Sequence, residues 1–300
     1  MALKSIGGYD TIYANDIEPN SKKIFDANHS ETKLTLKSLI DIPTTDIPPM
    51  DFLTGGFPCQ PFSIAGLRQG FDDVRSNVFW KLLEIIKHHR PKVFVLENVK
   101  NLVSHDGGNT FETIKTALEG ADYHLKWQVV NTCKLTNIPQ NRERIYIVGF
   151  SDVDACERFR FPLGDDECLP VADFLVGEVP DKYYYSDRFV CWELVRKGVV
   201  KHVSSDTVYQ MRRQYIRENK SGVCPTLTAT CGTGGHNVPL ILDDRGIRKL
   251  LPRECYNLQG FDSEFVLPEI SDSALYKLAG NAITVSVAKV IMKAVIDSLH

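Results

Sequence analysis

The sequence predicts an α/β fold, in which helices cover a largely parallel sheet and a smaller irregular domain is inserted before a C-terminal helix. Two observations support this prediction. Over about the first 150 residues, short apolar or β-branched runs alternate with stretches whose apolar residues recur at helical spacing. From about residue 155 to residue 270 the alternation stops, and isolated charges, prolines and glycines become more frequent.

The individual elements follow this alternation. ALKSI before Gly7 and Gly8 predicts a helix that ends at a glycine cap, TIYAN predicts a strand that ends near Asp16, and SKKIFDANH predicts a helix. The next predicted elements are the strand DFLTG (51–55), the helix SNVFWKLLEIIKHHR (76–90), the strand KVFVLEN (92–98), the helix NTFETIKTALEGA (109–121) and the strands WQVVNT (127–132) and RIYIVGF (144–150).

The C-terminal run ALYKLAGNAITVSVAKVIMKAVIDSL, at 274–299, predicts a helical tail. It returns to the helical pattern of the first part of the chain after the irregular stretch. We therefore expect residues 1–168 and 274–300 to form one domain and residues 169–273 to form a second, smaller one.

The composition, with 43% hydrophobic and 24% charged residues, is that of a globular protein with a substantial core. No apolar run approaches the length of a membrane span and no signal pattern opens the sequence, which favours a cytoplasmic protein. The eight cysteines include no CxxC pair. We therefore expect no metal site and, Cys59 apart, free buried thiols.

The net charge of −3 argues against a uniformly basic nucleic-acid binder but not against a local basic face. Residues 196–220 carry seven Lys or Arg against two acids. Taken alone, this segment is more typical of a solvated helix than of a phosphate-binding surface.

The stretch GGFPCQPFS, at 55–63, places Cys59 between two prolines directly after the strand DFLTG. Glu97 and Asn98 end the strand KVFVLEN. In open α/β sheets, ligands bind beyond the carboxyl ends of the strands, where all three residues would lie. A thiolate can attack and later leave, and a nearby acid can donate a proton. A buried cysteine in a tight loop and a carboxylate that caps a helix remain the alternative.

Five motifs occur in order along the chain: GFPCQPFS (56–63), LENVKNL (96–102), IPQNRERIYIVGF (138–150), RKLLPRECYNLQGF (248–261) and AGNAITVSVA (279–288). On these motifs the chain resembles the cytosine-5 DNA methyltransferases of bacterial restriction–modification systems, over almost its whole length. The resemblance implies a Rossmann-like domain that depends on S-adenosylmethionine and a target-recognition domain at 169–273. It also implies methylation of cytosine carbon 5 in a specific double-stranded DNA sequence, with a cognate restriction endonuclease as functional partner.

The resemblance further implies roles for single residues. Cys59 would add to carbon 6 of a flipped-out cytosine, and Glu97 would hydrogen-bond to or protonate ring nitrogen 3. Arg142 and Arg144 would orient the flipped base and nearby groups; their alternative role is an ion pair at the start of a strand. The sequence does not identify the base that removes the proton from carbon 5.

The cofactor contacts implied by the resemblance involve four residues. Asp16 would hold the ribose hydroxyls of S-adenosylmethionine, Ile17 and Val78 would contact opposite sides of its adenine, and Asn281 would line its methionine end.

The DNA contacts implied by the resemblance lie in GVCPTLTATCGTGGHNVPL, at 222–240. This segment carries the family's Thr-Leu pair as Thr226 and Leu227, and Gly232, Gly234 and Gly235 would let the backbone approach DNA closely. His236 and Asn237 could hydrogen-bond to base edges in the major groove. The basic segment 196–220 would then contact phosphates.

The sequence departs from the family at its start. The family's first strand and its FxGxGG loop, which wraps the methionine end of the cofactor, are absent from the printed sequence. Gly7 and Gly8 do not replace the loop because they end a helix. We expect the chain from Met1 to bind S-adenosylmethionine weakly and to lack a central strand. An inactive DNA-binding remnant and a tRNA-directed methyltransferase are the alternatives, and the segment 222–240 favours DNA.

Overall fold

The computed structural model describes residues 1–58, 78–164, 167–205, 207–219, 221–233 and 236–300. Its strands are β1 (Ala14–Asp16), β2 (Leu34–Leu36), β3 (Phe52–Gly56), β4 (Val93–Val99), β5 (His124–Asn131), β6 (Gln140–Asn141), β7 (Glu143–Phe150), β8 (Val208–Met211), β9 (Ile216–Asn219), β10 (Cys224–Pro225), β11 (Val238–Asp243) and β12 (Gly246–Lys249).

The helices of the described residues are α1 (Ala2–Ile6), α2 (Pro19–Asn28), α3 (Val78–His89), α4 (Asn109–Glu119), α5 (Thr132–Leu135), α6 (Val153–Arg158), α7 (Trp192–Gly198), α8 (Pro252–Asn257), α9 (Asp272–Asn281) and α10 (Val285–Ser298). Each strand and helix predicted before residue 150 is present within a few residues of its expected position. After α1, Gly7 and Gly8 have φ of +89° and +77°, the left-handed conformation of a glycine helix cap.

The chain divides into two compact units. The N-terminal unit consists of Leu3–Val130, Glu143–Pro162 and Ile291–His300, and the C-terminal unit of Met1–Ala2, Asn131–Arg142 and Leu163–Val290. Each unit is a set of residues that pack mainly against one another. The predicted target-recognition domain at 169–273 lies within the C-terminal unit.

The N-terminal unit contains a four-stranded sheet in the order β3-β4-β7-β5. β3 and β4 are parallel, as predicted, but β4 and β7 are antiparallel, so the expectation of a largely parallel sheet was too simple. Apolar periodicity reveals that a strand exists but does not reveal its direction. β1 and β2 form a separate parallel pair, and among the described strands neither β1 nor β3 has a partner on its second edge.

The core of the N-terminal unit forms where α3 and α4 pack on the sheet. Phe79 and Ile86 of α3, Leu96 of β4 and Ile114 and Leu118 of α4 are completely buried within one hydrophobic cluster. These helical residues are spaced by about one or two turns, which places them on one face of each helix. Burial of each side chain contributes about 1.5–3 kcal/mol, so the cluster holds the carboxyl ends of β3 and β4 in a fixed frame.

The C-terminal unit contains an antiparallel sheet in the order β12-β11-β8-β9, where the sequence predicted no regular pattern. Its apolar face includes Tyr209, Val238 and Leu240, which pack with Val195 of α7. The strands are only four to six residues long and include polar residues that are buried, such as Gln210. Alternation of apolar and polar residues is therefore weak in the sequence.

The predicted C-terminal helix is interrupted between Asn281 and Val285. Gln259 stabilises the break: its Nε2 donates to Ala279 O at 2.7 Å, its main-chain oxygen accepts from Val285 N at 2.8 Å, and its Oε1 accepts from Thr284 Oγ1 at 2.8 Å. A distant polar side chain thus supplies partners for the helix ends, which local sequence cannot reveal.

By length and composition, the stretch Asp272–Ser298 resembles a membrane span. It is divided into two helices, and half of its most apolar window is buried inside the protein. These are properties of a core helix.

Candidate active site

The carboxylate of Glu97, at the end of β4, lies beside the guanidinium of Arg144 on β7. Arg144 Nε is 3.0 Å from Glu97 Oε1, and the two side chains are only 16% and 14% exposed. Glu97 is directly opposite Tyr146 in the ladder, and Arg144 lies two residues earlier on the same face. Strand register therefore makes Glu97 and Arg144 diagonal neighbours, and their charge-assisted contact orients the carboxylate.

Asn98 joins the same strand end to the segment that leads to Cys59. Its side chain is 3% exposed, and Nδ2 donates to Phe57 O at 2.8 Å while Oδ1 accepts from Val99 N at 2.8 Å. Phe57 lies two residues before Cys59. Cys59 itself lies outside the described residues. Asn98 therefore fixes the backbone at Phe57, close to the point where the described chain ends before Cys59.

Three cysteines of the C-terminal unit make poor nucleophiles in this structure. The seven cysteines of the described residues are free thiols. Burial raises the pKa of Cys224, and a hydrogen bond with Cys231, together with burial, raises the pKa of Cys255. The same contact lowers the pKa of Cys231, but that side chain is only 2% exposed. Because a reactive thiolate needs access as well as a suitable pKa, none of these three residues is a substitute for Cys59.

Arg142 is buried in the C-terminal unit and holds backbone carbonyl groups. Its Nη1 donates to Leu227 O at 3.0 Å, and its Nη2 donates to Gly280 O at 3.2 Å and to Ala282 O at 2.7 Å. Its exposed fraction is 2%. Asn281 is exposed between the two residues whose carbonyls Arg142 holds. Arg142 thus fixes the backbone on both sides of Asn281.

Two buried glutamines, which the sequence analysis did not single out, connect the motif IPQNRER with the motif YNLQGF. Gln140 Nε2 donates to Leu258 O at 2.7 Å, and Gln140 Oε1 accepts from Leu227 N at 3.1 Å. Gln259 contacts Gln140 at 3.4 Å as well as the break after α9. Both glutamines are completely buried. The only signal in the sequence was their position inside the motifs IPQNRER and YNLQGF.

The predicted cofactor residues Asp16, Ile17 and Val78 belong to the N-terminal unit. Asp16 ends β1, and its carboxylate accepts from Glu18 N at 2.9 Å and from Ser21 Oγ at 2.7 Å. A carboxylate has about four acceptor positions, so Asp16 retains capacity for further donors. Ile17 is 69% exposed, and Val78 is partly buried against the hydrophobic cluster at the start of α3. An oriented acid with acceptor capacity therefore lies next to an exposed apolar side chain in the sequence.

Thr226 and Leu227 are held by the motif IPQNRER within the C-terminal unit. β10 pairs in parallel with β6, and Thr226 Oγ1 donates to Asn141 O at 2.6 Å. Leu227 is completely buried, and its N–H and C=O groups bind Gln140 and Arg142. This pair therefore anchors the segment 222–240 to the protein.

The middle of this segment packs on the ring of Tyr276. A Cβ atom added to Gly232 would lie 2.0 Å from the ring of Tyr276, so only glycine fits there. Lys249 Nζ donates to Gly232 O at 2.6 Å and lies 5.2 Å from the centre of the Tyr276 ring. Packing against Tyr276 therefore accounts for the glycine at position 232. That Gly232 lets the backbone approach DNA stays a prediction, and Gly234 and Gly235 lie outside the described residues.

Asn237, at the end of the segment, has a left-handed φ of +60°. Its Oδ1 accepts from Arg212 Nη1 at 2.6 Å and from Gln210 Nε2 at 3.2 Å. His236 is partly buried beside it. The side-chain oxygen of Asn237 is thus already bound to protein donors. Within the described part of the chain, no cluster of three or more His, Cys, Asp or Glu side chains could hold a metal ion.

Comparison with known proteins extends these observations. Residues 1–297 match the family model described as C-5 cytosine-specific DNA methylase. The chain is 44% identical to the type II methyltransferase M.Bsp6I of Bacillus sp. (strain RFL6) over 303 aligned positions, which cover 100% of this chain and 95% of that protein. It is 33% identical to the type II methyltransferase M.HpaII of Haemophilus parainfluenzae, with 100% and 86% covered.

The fold is also similar to that of solved structures. The crystal structure of S. pombe Dnmt2 methyltransferase superposes with a TM-score of 0.72 at 17% identity, covering 100% of this chain and 94% of that one. At this identity the similarity concerns the fold alone.

Proposed function

The chain belongs to the C-5 cytosine-specific DNA methylase family, and from this membership we propose how its side chains act. It is a DNA methyltransferase that modifies carbon 5 of cytosine, as part of a restriction–modification system. The observation that carries this function is the match of the family model to residues 1–297. Because that model describes DNA methylases, it favours DNA over tRNA as the substrate.

In the proposed reaction, Cys59 is the nucleophile. Carbon 5 of cytosine attacks poorly, so the Cys59 thiolate first adds to carbon 6 and makes carbon 5 electron-rich. Carbon 5 then takes the methyl group, a base removes the carbon 5 proton, and the Cys59 thiolate leaves as the ring double bond returns. Inside a duplex this carbon is inaccessible, so the cytosine must be flipped out of the helix.

In its protonated form, Glu97 donates a proton to ring nitrogen 3, where negative charge would otherwise develop as the thiolate adds to carbon 6. Its contact with Arg144 at 3.0 Å supports this role, because a carboxylate that is already oriented loses less freedom when it binds the base. Arg144 therefore positions Glu97 and, from the same place, can orient the flipped cytosine. Asn98 positions the backbone before Cys59 through Phe57 O.

S-adenosylmethionine is the proposed methyl donor, and it supplies an electrophilic methyl group when bound. Asp16 would accept hydrogen bonds from its ribose hydroxyls, while Ile17 and Val78 would contact the adenine. Asn281 would line the methionine end, and its exposed position between two backbone groups that Arg142 holds supports that role. Arg142 is thus a positioning residue.

Double-stranded DNA is the proposed substrate of the C-terminal unit, with residues 169–273 as the target-recognition domain. Thr226 and Leu227 anchor the segment 222–240, and His236 would hydrogen-bond to base edges. We place the protein in the cytoplasm with its DNA and with a cognate restriction endonuclease as functional partner, and we assign it neither a metal nor a membrane.

The test is covalent trapping. DNA that contains 5-fluorocytosine blocks removal of the group on carbon 5, so the unmodified protein should form an irreversible complex with it in the presence of S-adenosylmethionine. Cys59→Ser should form no complex and should not methylate ordinary DNA. Methylation by Cys59→Ser at the normal rate would overturn the mechanism.

A further inference from the structure

The basic segment 196–220 separates into paired and unpaired cations. Arg196 and Lys197 share Glu193, at 2.6 Å and 3.5 Å, and Lys201 lies 2.6 Å from Glu218. By contrast, Arg212, Arg213 and Arg217 have no carboxylate at ion-pair distance within the part of the chain that the structure describes; these three are the unpaired arginines. Among the described residues, the cations of this segment that lack a carboxylate partner therefore all lie on one hairpin.

This hairpin consists of β8 and β9 and the turn between them. Met211 is paired with Ile216, and Arg212 N donates to Tyr215 O at 2.9 Å, which closes the turn over Arg213 and Gln214. Met211 and Ile216 pack into the core of the C-terminal unit. Arg213 and Gln214 are exposed, and Tyr215 is 53% exposed. The base of the hairpin is thus rigid, and its tip presents cationic, amide and aromatic groups.

Arg212 is held in place by side chains that make no ion pair with it. Its Nη1 donates to Asn237 Oδ1 at 2.6 Å, and Asn237 also accepts from Gln210, which is 8% exposed. The backbone of Asn237 is left-handed, a conformation that is costly for a residue other than glycine. This strained residue is the one whose side chain binds Arg212. Nε and Nη2 of Arg212 make no hydrogen bond with the described residues. The guanidinium is therefore oriented, and part of its donor edge is available.

We propose that the β8–β9 hairpin enters the major groove of the DNA, where Arg212 contacts a base edge and Arg213 and Arg217 contact phosphates; this inference rests on the proposed function. The major groove admits a two-stranded ribbon, and a planar guanidinium binds O6 and N7 of guanine. An orienting partner lowers the entropy lost on binding. Asn237 accordingly positions Arg212 and does not itself contact a base through Oδ1, which differs from the role that the sequence suggested for it.

The experiment selects duplexes that bind to the unmodified full chain from a randomised library and sequences them, so that no methyl transfer is needed. In Arg212→Lys, the charge remains but the planar donor edge is lost. The preference for guanine at one position of the bound sequence should fall about tenfold or more, while affinity for unrelated duplexes changes little. Asn237→Gly keeps the backbone conformation and removes the oxygen that orients Arg212. The preference for guanine at the same position of the bound sequence should therefore also fall.

Phosphate contacts are measured by the salt dependence of binding. Arg213→Ala and Arg217→Ala should weaken binding to all duplexes alike, and each should reduce the slope of log affinity against log salt by about 1. Arg196→Ala is the matched control, because its charge is already paired with Glu193, and it should leave the slope unchanged. Thermal unfolding of each variant checks that it is folded.

The outcomes are separable. An unchanged bound sequence in both Arg212→Lys and Asn237→Gly, or no preferred sequence in the unmodified protein, would overturn the base contact. Slopes equal to that of Arg196→Ala would overturn the phosphate contacts. If the unmodified protein selects a sequence and the variants relax it, but no 5-methylcytosine forms in that sequence, the proposed function fails and the hairpin proposal stands.

Discussion

Arg144 Nε and Glu97 Oε1 lie 3.0 Å apart, on adjacent antiparallel strands whose register makes the two side chains diagonal neighbours. Arg144 lies in the motif IPQNRER and Glu97 in the motif LENVKNL, 47 residues earlier in the printed numbering. The sheet thus brings residues of two separate motifs together, and their contact orients the carboxylate of Glu97.

Glu97→Gln should lower the methylation rate by roughly a hundredfold or more, the usual contribution of an acid–base group, with a smaller effect on DNA affinity. The amide keeps the shape of the side chain but cannot give a proton to ring nitrogen 3. Transfer of a labelled methyl group to DNA measures the rate. Glu143→Gln is the control, because Glu143 is a more exposed carboxylate that lies next to Arg144 on β7 and pairs with Lys100. A rate equal to that of the control would make Glu97 a structural residue only.

Asn98→Ala should destabilise the N-terminal unit by about 1–3 kcal/mol, because it removes a buried hydrogen bond to Phe57 O. Trapping on 5-fluorocytosine DNA should slow as well, since the backbone before Cys59 loses its anchor. Denaturant unfolding and the trapping rate measure the two effects. Asn101→Ala, at an exposed amide in the same region, should change stability by less than about 0.5 kcal/mol. Normal stability and trapping in Asn98→Ala would show that Phe57 is held by other contacts.

Arg142→Met should destabilise the protein by about 3 kcal/mol or more, because three carbonyl groups, two of them buried, lose a charged donor. Arg142→Lys should fall between this variant and the unmodified protein, since an ammonium group cannot span the same carbonyls. Thermal unfolding is the measurement, with Arg188→Met, at an exposed arginine, as control. If Arg142→Met lost activity at unchanged stability, Arg142 would act on the base and not on the backbone.

Asp243→Asn should reduce the pH dependence of stability in acid. Burial raises the pKa of Asp243, but hydrogen bonds from Arg248 and Tyr184 outweigh it and hold the pKa below its ordinary value of 3.8. A carboxyl whose pKa is lowered by folding contributes stability above its unfolded pKa and loses it as pH falls through the folded pKa. The free energy of unfolding of the unmodified protein should therefore fall more steeply below about pH 4 than that of Asp243→Asn.

The control for this prediction is Asp187→Asn, because Asp187 is exposed and makes no ion pair with any residue in the described part of the chain. Unfolding measured from pH 6 to pH 2.5 should give the same slope for the control as for the unmodified protein. Equal slopes for all three proteins would mean that the contact of Arg248 with Asp243, at 2.6 Å, does not contribute to stability.

The fold was predictable where the pattern was local. The helix Val78–His89 and the strand Val93–Val99 were expected because apolar residues recur at the period of each element. The antiparallel sheet of the C-terminal unit was missed because its short strands bury polar residues such as Gln210 and Arg248. The break after Asn281 was missed because it depends on Gln259, which lies more than twenty residues earlier.

For the candidate site, the sequence by itself determined the family, and with it the chemistry, because the motifs are contiguous runs whose order needs no coordinates. Only the tertiary structure decided what several motif residues do. Arg142 and Arg144 are two residues apart in one motif, yet Arg144 holds a carboxylate and Arg142 holds three carbonyl groups. Likewise, Arg212 and Lys201 are both cations of one basic segment, but only Lys201 has an acidic partner among the described residues. The physical reason is that hydrogen bonds and ion pairs depend on which residues the fold brings within about 3 Å of each other, and for these side chains strand register and helix ends set those neighbours.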